Sequence, residues 1–249
     1  MTSFPEYLSL IDDRSAALRT AVAAASDHDA RVPGCPAWTL NDLVLHLGRV
    51  QRFWSTVVAA GKADGPPPQE SIPDPVPTGD LLEWSAESAR LLLAALGAAG
   101  PDAPCWTWWP ASAAPQSAIA VARHQVEEAG VHAWDAEETI GSPAPLPDAV
   151  ALDGVAEFLQ VTYGAEGSWP DLPALVEYVA DEGVSWRLDL SELGAQLDPP
   201  KVGGTPDATV RGPASDILLA LYGRIPLSRL DIDGDAALVD RLRNWGDTD

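Results

Sequence analysis

Six prolines fall between Gly65 and Gly79, in the run PPPQESIPDPVP. Each lacks an amide proton and clashes with a preceding helical turn, so neither an α-helix nor a central strand can pass through this stretch. It must be a long loop, and the chain on either side must fold as separate elements. Those flanks have helical periodicity. Residues 6–26 bring Tyr7, Leu10, Ile11, Leu18 and Val22 onto one face. A second helix is expected to begin at Thr39, which can cap it, with Asp42 three residues on as a shortened capping box. Its buried stripe is Leu40, Leu43, Val44, Leu47 and Val50. A third helix is expected over about residues 79–97. A fourth follows Pro101, Pro104 and Pro110, over about 116–140, and Gly141, Pro143 and Pro145 stop it. Short helices joined by Pro-rich loops predict a four-helix bundle over residues 1–145.

The second half has a different texture. Residues 148–165 and 171–181 have helical spacing, whereas 184–190, 208–211 and 230–232 are short and alternate with a period of two. Helical spacing returns at 215–222 and 236–245. This mixture predicts a small α+β domain over 146–249, with Ser142 to Pro147 as the linker, so the fold class is an all-α bundle followed by an α+β unit.

Charge and hydropathy exclude several functions. The formal net charge of −22 argues against a nucleic-acid partner, since such binding requires a cationic face. The most apolar run, Leu91 to Ala99, is less than half of the roughly 20 residues needed to span a bilayer, so no membrane partner is expected. The start, MTSFPEYLSLIDD, lacks the basic and apolar regions of a secretory signal. A cytoplasmic protein, monomeric or homodimeric, is expected. Cys35 and Cys105 form no Cys-x-x-Cys motif and are expected as free thiols.

There are four histidines: His28, His46, His124 and His132. His132 follows Glu128 by four residues on the fourth helix, which stacks carboxylate and imidazole on one face. His46 lies between Leu45 and Leu47 on the second helix, where a desolvated imidazole needs a partner. That partner is either a backbone carbonyl, Asp42, or a metal shared with the fourth helix. Two His and one Glu from packed helices match an open catalytic zinc site, but a surface pair or a core polar contact uses the same spacing. Asp135, three residues after His132, is placed either to accept the second ring proton of that histidine or to be solvated. The indoles of CWTWWP, Trp106, Trp108 and Trp109, either wall a pocket or plug the end of the bundle.

Two segments carry a resemblance. VPGCPAWTLNDLVLHLGRV, Val32 to Val50, resembles the Pro-x-Trp-Thr-x-x-x-Leu-x-x-His start of the second helix in the mycothiol-dependent maleylpyruvate isomerase family. ARHQVEEAGVHAWDAE, Ala122 to Glu137, resembles the Arg-x-x-x-x-Glu-x-x-x-His-x-x-Asp-Ala-Glu helix of that family. Asp153, Gly154, Glu157 and Phe158, then GPASDILLALYGR and DGDAALVDRL, resemble its C-terminal domain. Where the family commonly has a second Arg and a His before the metal Glu, this chain has His124 and Glu127.

The resemblance implies a DinB-like bundle with His46, Glu128 and His132 as ligands of zinc or another divalent first-row metal. It also implies mycothiol, a small thiol of actinobacteria, as cofactor, and a small-molecule substrate. It implies a basic residue in the C-terminal domain, for which Arg224 and then Arg211 are the candidates, both near one expected helix. Trp38, Arg123 and Trp109 are candidates for holding the thiol. In the simpler alternative Trp38 is core, Arg123 makes a salt bridge within the bundle and Trp109 belongs to the plug. The implied activity is isomerisation of a conjugated diacid or transfer of the thiol to an electrophile, with Asp135 supporting the metal histidine. A zinc hydrolase and a ligand-binding protein with a vestigial metal site are the alternatives.

Overall fold

The computed structural model describes residues 2–199 and 203–246. The chain divides into two compact units, Met1–Trp108 with Pro115–Leu146, and Trp109–Ala114 with Pro147–Asp249. The expected boundary after residue 145 takes no account of Trp109–Ala114, which groups with the second unit.

The first unit is a helical bundle of α1 (Phe4–Ala24), α2 (Leu40–Ala60), α3 (Leu81–Ala99) and α4 (Ala118–Thr139). A short hairpin, β1 (Arg31–Val32) and β2 (Cys35–Thr39), leads into α2 and was not legible from periodicity, its strands being too short to show alternation. The start of α2 is fixed by a capping box: the Thr39 hydroxyl accepts from the Asp42 amide, while the Asp42 carboxylate accepts from the Thr39 amide and hydroxyl. The core joins Leu18 and Val22 of α1, Leu40, Leu43, Val44 and Leu47 of α2, and Ala129, Ala133 and Ala136 of α4. The small residues of α4 let the larger side chains of its neighbours fill the space between the helix axes. At Gly48 of α2 the Trp84 ring of α3 lies where a Cβ would sit, so only glycine permits that approach.

The Pro-rich loop has one short 3₁₀ turn, Gln69–Ser71, and is tied to the bundle at three points. Buried Arg52 donates to Ser88 Oγ at 2.8 Å and to the Pro73 carbonyl at 2.9 Å. Trp84 Nε1 donates to the Asp74 carbonyl at 2.9 Å, and Arg49 Nε to the Pro75 carbonyl at 3.1 Å. The Arg52 guanidinium also lies over the Trp84 ring, 4.8 Å from its centroid. A loop without ladder hydrogen bonds is thereby fixed by side chains of α2 and α3.

The second unit contains α5 (Asp148–Ala165), β3 (Ala174–Ala180), β4 (Ser185–Ser191), β5 (Gly194–Leu197), β6 (Ala208–Gly212), α6 (Ala214–Leu221), β7 (Asp231–Gly234) and α7 (Ala236–Arg243). Its sheet has the order β5-β4-β3-β6-β7, with β3 and β6 parallel and the other neighbours antiparallel. The helix expected over 171–181 is instead β3. Leu172, Leu175, Val176 and Val179 mimic helical spacing, but Val176, Tyr178 and Ala180 are buried alternately, and pairing on both edges satisfies the backbone of a central strand. α5 packs on α6 and β5, and the Leu218 side chain of α6 occupies the space a Cβ at Gly154 would need. Among the described residues no helix is long and apolar enough to cross a membrane.

Candidate metal centre

The face of α2 beginning at His46 and the face of α4 carrying Glu128 and His132 meet within the bundle. His46 Nε2 lies 2.8 Å from Glu128 Oε1, and His132 Nε2 lies 3.5 Å from the same oxygen. One ligand atom from each of the three residues lies within 4.8 Å of the others. Zinc bonds of about 2.1 Å put neighbouring tetrahedral ligands about 3.4 Å apart, so two imidazole nitrogens and a carboxylate oxygen at these separations suit one divalent ion. The donor set leaves further coordination positions for a solvent or ligand atom.

The ligands are oriented from behind. Asp135 is fully buried, and its Oδ2 lies 2.9 Å from His132 Nδ1. A ring proton held there on Nδ1 leaves the Nε2 lone pair facing Glu128 and His46. Thr139 Oγ1 donates to the Asp135 carbonyl at 2.7 Å. Cys35 Sγ is 4.0 Å from Asp135 Oδ2. The Trp38 ring, half-buried at the end of β2, lies 4.5 Å from the His46 ring and 6.0 Å from the His132 ring, centroid to centroid. Trp38 thus packs against the bundle core and beside both imidazoles.

Charge in the ion-free site follows from this packing. Burial alone would raise the Glu128 pKa, but hydrogen bonds from His132 and His46 outweigh it and hold the carboxyl well below its usual 4.5. Burial would lower the pKa of His132, but Asp135 and Glu128 reverse that and push it up to about 9. The site therefore holds a proton that an incoming cation must displace.

His46 is not desolvated as its leucine neighbours suggest: its side chain keeps 30% exposure, and its partner Glu128 lines a cavity of about 420 Å³. The cavity is lined by Glu128 and His124 of α4, by Arg49 and Phe53 of α2, and by Ile72 and Pro75 of the Pro-rich loop, among others. No sequence motif singles out Arg49 or Phe53. They follow His46 by three and seven residues, however, so a helical projection from His46 would have found them.

The remaining candidates are scattered. Arg123 is half-buried on α4 and does not line the cavity. Trp108 lines it, whereas Trp109 is fully buried in the second unit and presents no surface to a ligand. In the second unit, Arg211 is exposed on β6 opposite Asp231 of β7, and Arg224 follows the C-terminal end of α6. The two arginines flank opposite ends of that eight-residue helix. Arg224 Nη1 donates to the Tyr222 carbonyl at 2.9 Å, and its guanidinium lies 5.7 Å from the Tyr222 ring centroid.

Comparison with known proteins places this geometry in a family. The family model described as mycothiol maleylpyruvate isomerase N-terminal domain matches residues 8–137, and the corresponding C-terminal domain model matches residues 149–241. No curated protein sequence matches the chain. Among solved structures, a mycothiol-dependent maleylpyruvate isomerase is similar at 15% identity, with 90% of each chain covered and a TM-score of 0.59. A histidine-to-alanine variant of such an isomerase is similar over the same shares at 15% identity and a TM-score of 0.58. At that identity the solved structures speak for the fold, a DinB-like bundle with a C-terminal α+β unit. The two matched domains, in order and over most of the chain, show that this protein belongs to the mycothiol maleylpyruvate isomerase family.

Proposed function

We propose that this chain is a divalent-metal enzyme that uses mycothiol either to isomerise a conjugated small molecule or to add the thiol to an electrophile. The observation that carries this reading is the convergence of His46, Glu128 and His132 within 4.8 Å, at the edge of a cavity. The family's name and the solved isomerases supply the thiol and the maleylpyruvate-type substrate as the first to test.

His46, Glu128 and His132 would hold the ion, with zinc suiting two imidazoles and a carboxylate. When bound, such an ion supplies positive charge that favours the thiolate of a sulfhydryl whose free pKa is about 8.5. Asp135 keeps the proton on His132 Nδ1 and so directs Nε2 inward. Glu128 would contribute the only negative charge among the three donors, so the donor set would leave a divalent ion with net positive charge. Trp38 flanks both imidazoles. Arg224, whose guanidinium is steadied by the Tyr222 carbonyl and ring, is the preferred counterpart of the family's basic residue, with Arg211 second.

The test is metal quantification of the purified protein together with turnover of maleylpyruvate in the presence and absence of mycothiol. About one equivalent of metal and strictly thiol-dependent turnover, both lost in His132→Ala, are expected. Turnover without the thiol would point to a hydrolase, and substoichiometric metal with an unaffected His132→Ala variant would point to a vestigial site.

A further inference from the structure

We propose that the cavity beside Glu128 takes a substrate with a flat aryl body and at most one carboxylate, in preference to a small dicarboxylate. This rests on the proposed metal and thiol chemistry at the Glu128 end, but the wall that selects the substrate is independent of it.

The wall is made of interlocked rings. Phe53 meets Trp54 edge-to-face at 5.3 Å, and Trp54 stacks on Trp106 at 6.2 Å. His124 sets its edge against Trp54 at 5.9 Å and against Trp108 at 5.8 Å. Phe53, Trp54, Trp108 and His124 all line the cavity, and Trp108 keeps 42% exposure, so ring surface is available to a ligand. Rings that brace one another need little reorganisation when a flat group enters. Their faces carry the negative side of the aromatic quadrupole, which attracts flat apolar groups and the edges of other rings and disfavours a carboxylate.

The charges point the same way. Among the described residues lining the cavity, Arg49 is the only Lys or Arg, and its Nε already donates to the Pro75 carbonyl. Arg52, three residues further along α2, is turned into the core against Ser88 and Pro73 and is 2% exposed. One guanidinium can fork a single carboxylate, and in the ion-free cavity Glu128 repels a second. A volume of about 420 Å³ also exceeds what a four-carbon diacid fills and falls within the range of about 300–1,000 Å³ typical of pockets for larger ligands.

The experiment uses a matched pair of probes, cinnamate and fumarate, which share a trans alkene carboxylate and differ by a phenyl ring against a second carboxylate. Each is titrated calorimetrically into the full chain, zinc-loaded and chelator-treated. The expected result is a Kd for cinnamate about ten-fold below that for fumarate in the chelator-treated form, and a smaller preference of the same sign in the zinc-loaded form, where the ion offsets Glu128. Trp108→Ala and Phe53→Ala should each weaken cinnamate about five-fold or more and leave fumarate unchanged. Equal or tighter fumarate binding, or variants that weaken both probes alike, would overturn the proposal. Mycothiol-dependent turnover of cinnamaldehyde and of maleylpyruvate is measured in parallel. Cinnamate preference without any thiol-dependent turnover supports the aryl pocket and refutes the thiol chemistry. Thiol-dependent turnover of maleylpyruvate with no cinnamate preference does the reverse.

Discussion

Asp135 Oδ2 and His132 Nδ1 lie 2.9 Å apart, and the carboxylate has no exposure to solvent. A buried charge of this kind is costly unless a partner compensates it, and here the partner is the imidazole whose Nε2 faces Glu128. Asp135→Asn keeps the side-chain shape but removes the charge that fixes the ring. Metal affinity should fall about 10–100-fold, measured by competition with a chromogenic chelator. Unchanged affinity would show that His132 is oriented by packing alone.

Proton and metal compete for the same nitrogen. In the metal-free protein the His132 pKa is raised from 6.5 to about 9, so its contribution to stability is complete below 6.5 and is lost as pH rises through 9. Glu128 is lowered from 4.5, so its contribution is complete above 4.5 and is lost as pH falls through its depressed value. Chelator-treated protein should therefore melt at its highest temperature between about pH 4.5 and 6.5 and at a lower one by pH 9.5, as thermal scans would reveal. Metal affinity should run the other way over this upper range, strengthening from pH 6.5 to 9 as the proton leaves.

Arg52 holds the Pro73 carbonyl and Ser88 with one guanidinium. Arg52→Met fills similar volume but removes the hydrogen bonds to the Pro73 carbonyl and to Ser88 Oγ, which keeps its own bond to the Trp84 carbonyl, and should cost about 2–4 kcal/mol in urea unfolding. Limited proteolysis should then cut within residues 65–79 faster than in the unaltered chain. Arg52→Lys should recover only part of the loss, because an ammonium lacks the planar fork that reaches both acceptors.

Burial pushes the Cys105 thiol up to about 11. It should resist iodoacetamide at pH 7.5 in the folded protein and react once the chain is unfolded, as read by peptide mass spectrometry. Ready modification of native Cys105 would mean that the chain carries a reactive sulfhydryl of its own.

The bundle was legible because its helices are long, amphipathic and punctuated by proline. The Thr39 and Asp42 capping box located the start of α2, and the four-residue spacing of Glu128 and His132 put both on one face. Helical periodicity also presented Leu172 to Val179 convincingly, yet β3 is a strand because pairing to β4 and β6 outweighs local spacing. The strands β1, β2 and β5 gave no periodic signal, because β1 has only two residues and burial along β2 and β5 does not alternate. Around His46, Glu128 and His132, spacing left Asp135 either on the His132 ring or in solvent, and only its burial beside Nδ1 decides, while the contribution of Ile72 and Pro75 to the cavity had no sequence signal. A Pro-rich segment announces only that it is irregular, and its position depends on Arg49, Arg52 and Trp84 holding its carbonyls.

That division of labour separates what reacts from what is chosen. His46, Glu128 and His132 project from two long helices, whereas part of the cavity rim comes from a tethered loop with one short 3₁₀ turn. Exchange of rim residues at Gln69, Ile72 or Pro75 can thus retune preference among substrates while the chemistry stays in place. A chain built this way can be redirected to a new compound while His46, Glu128 and His132 keep their places.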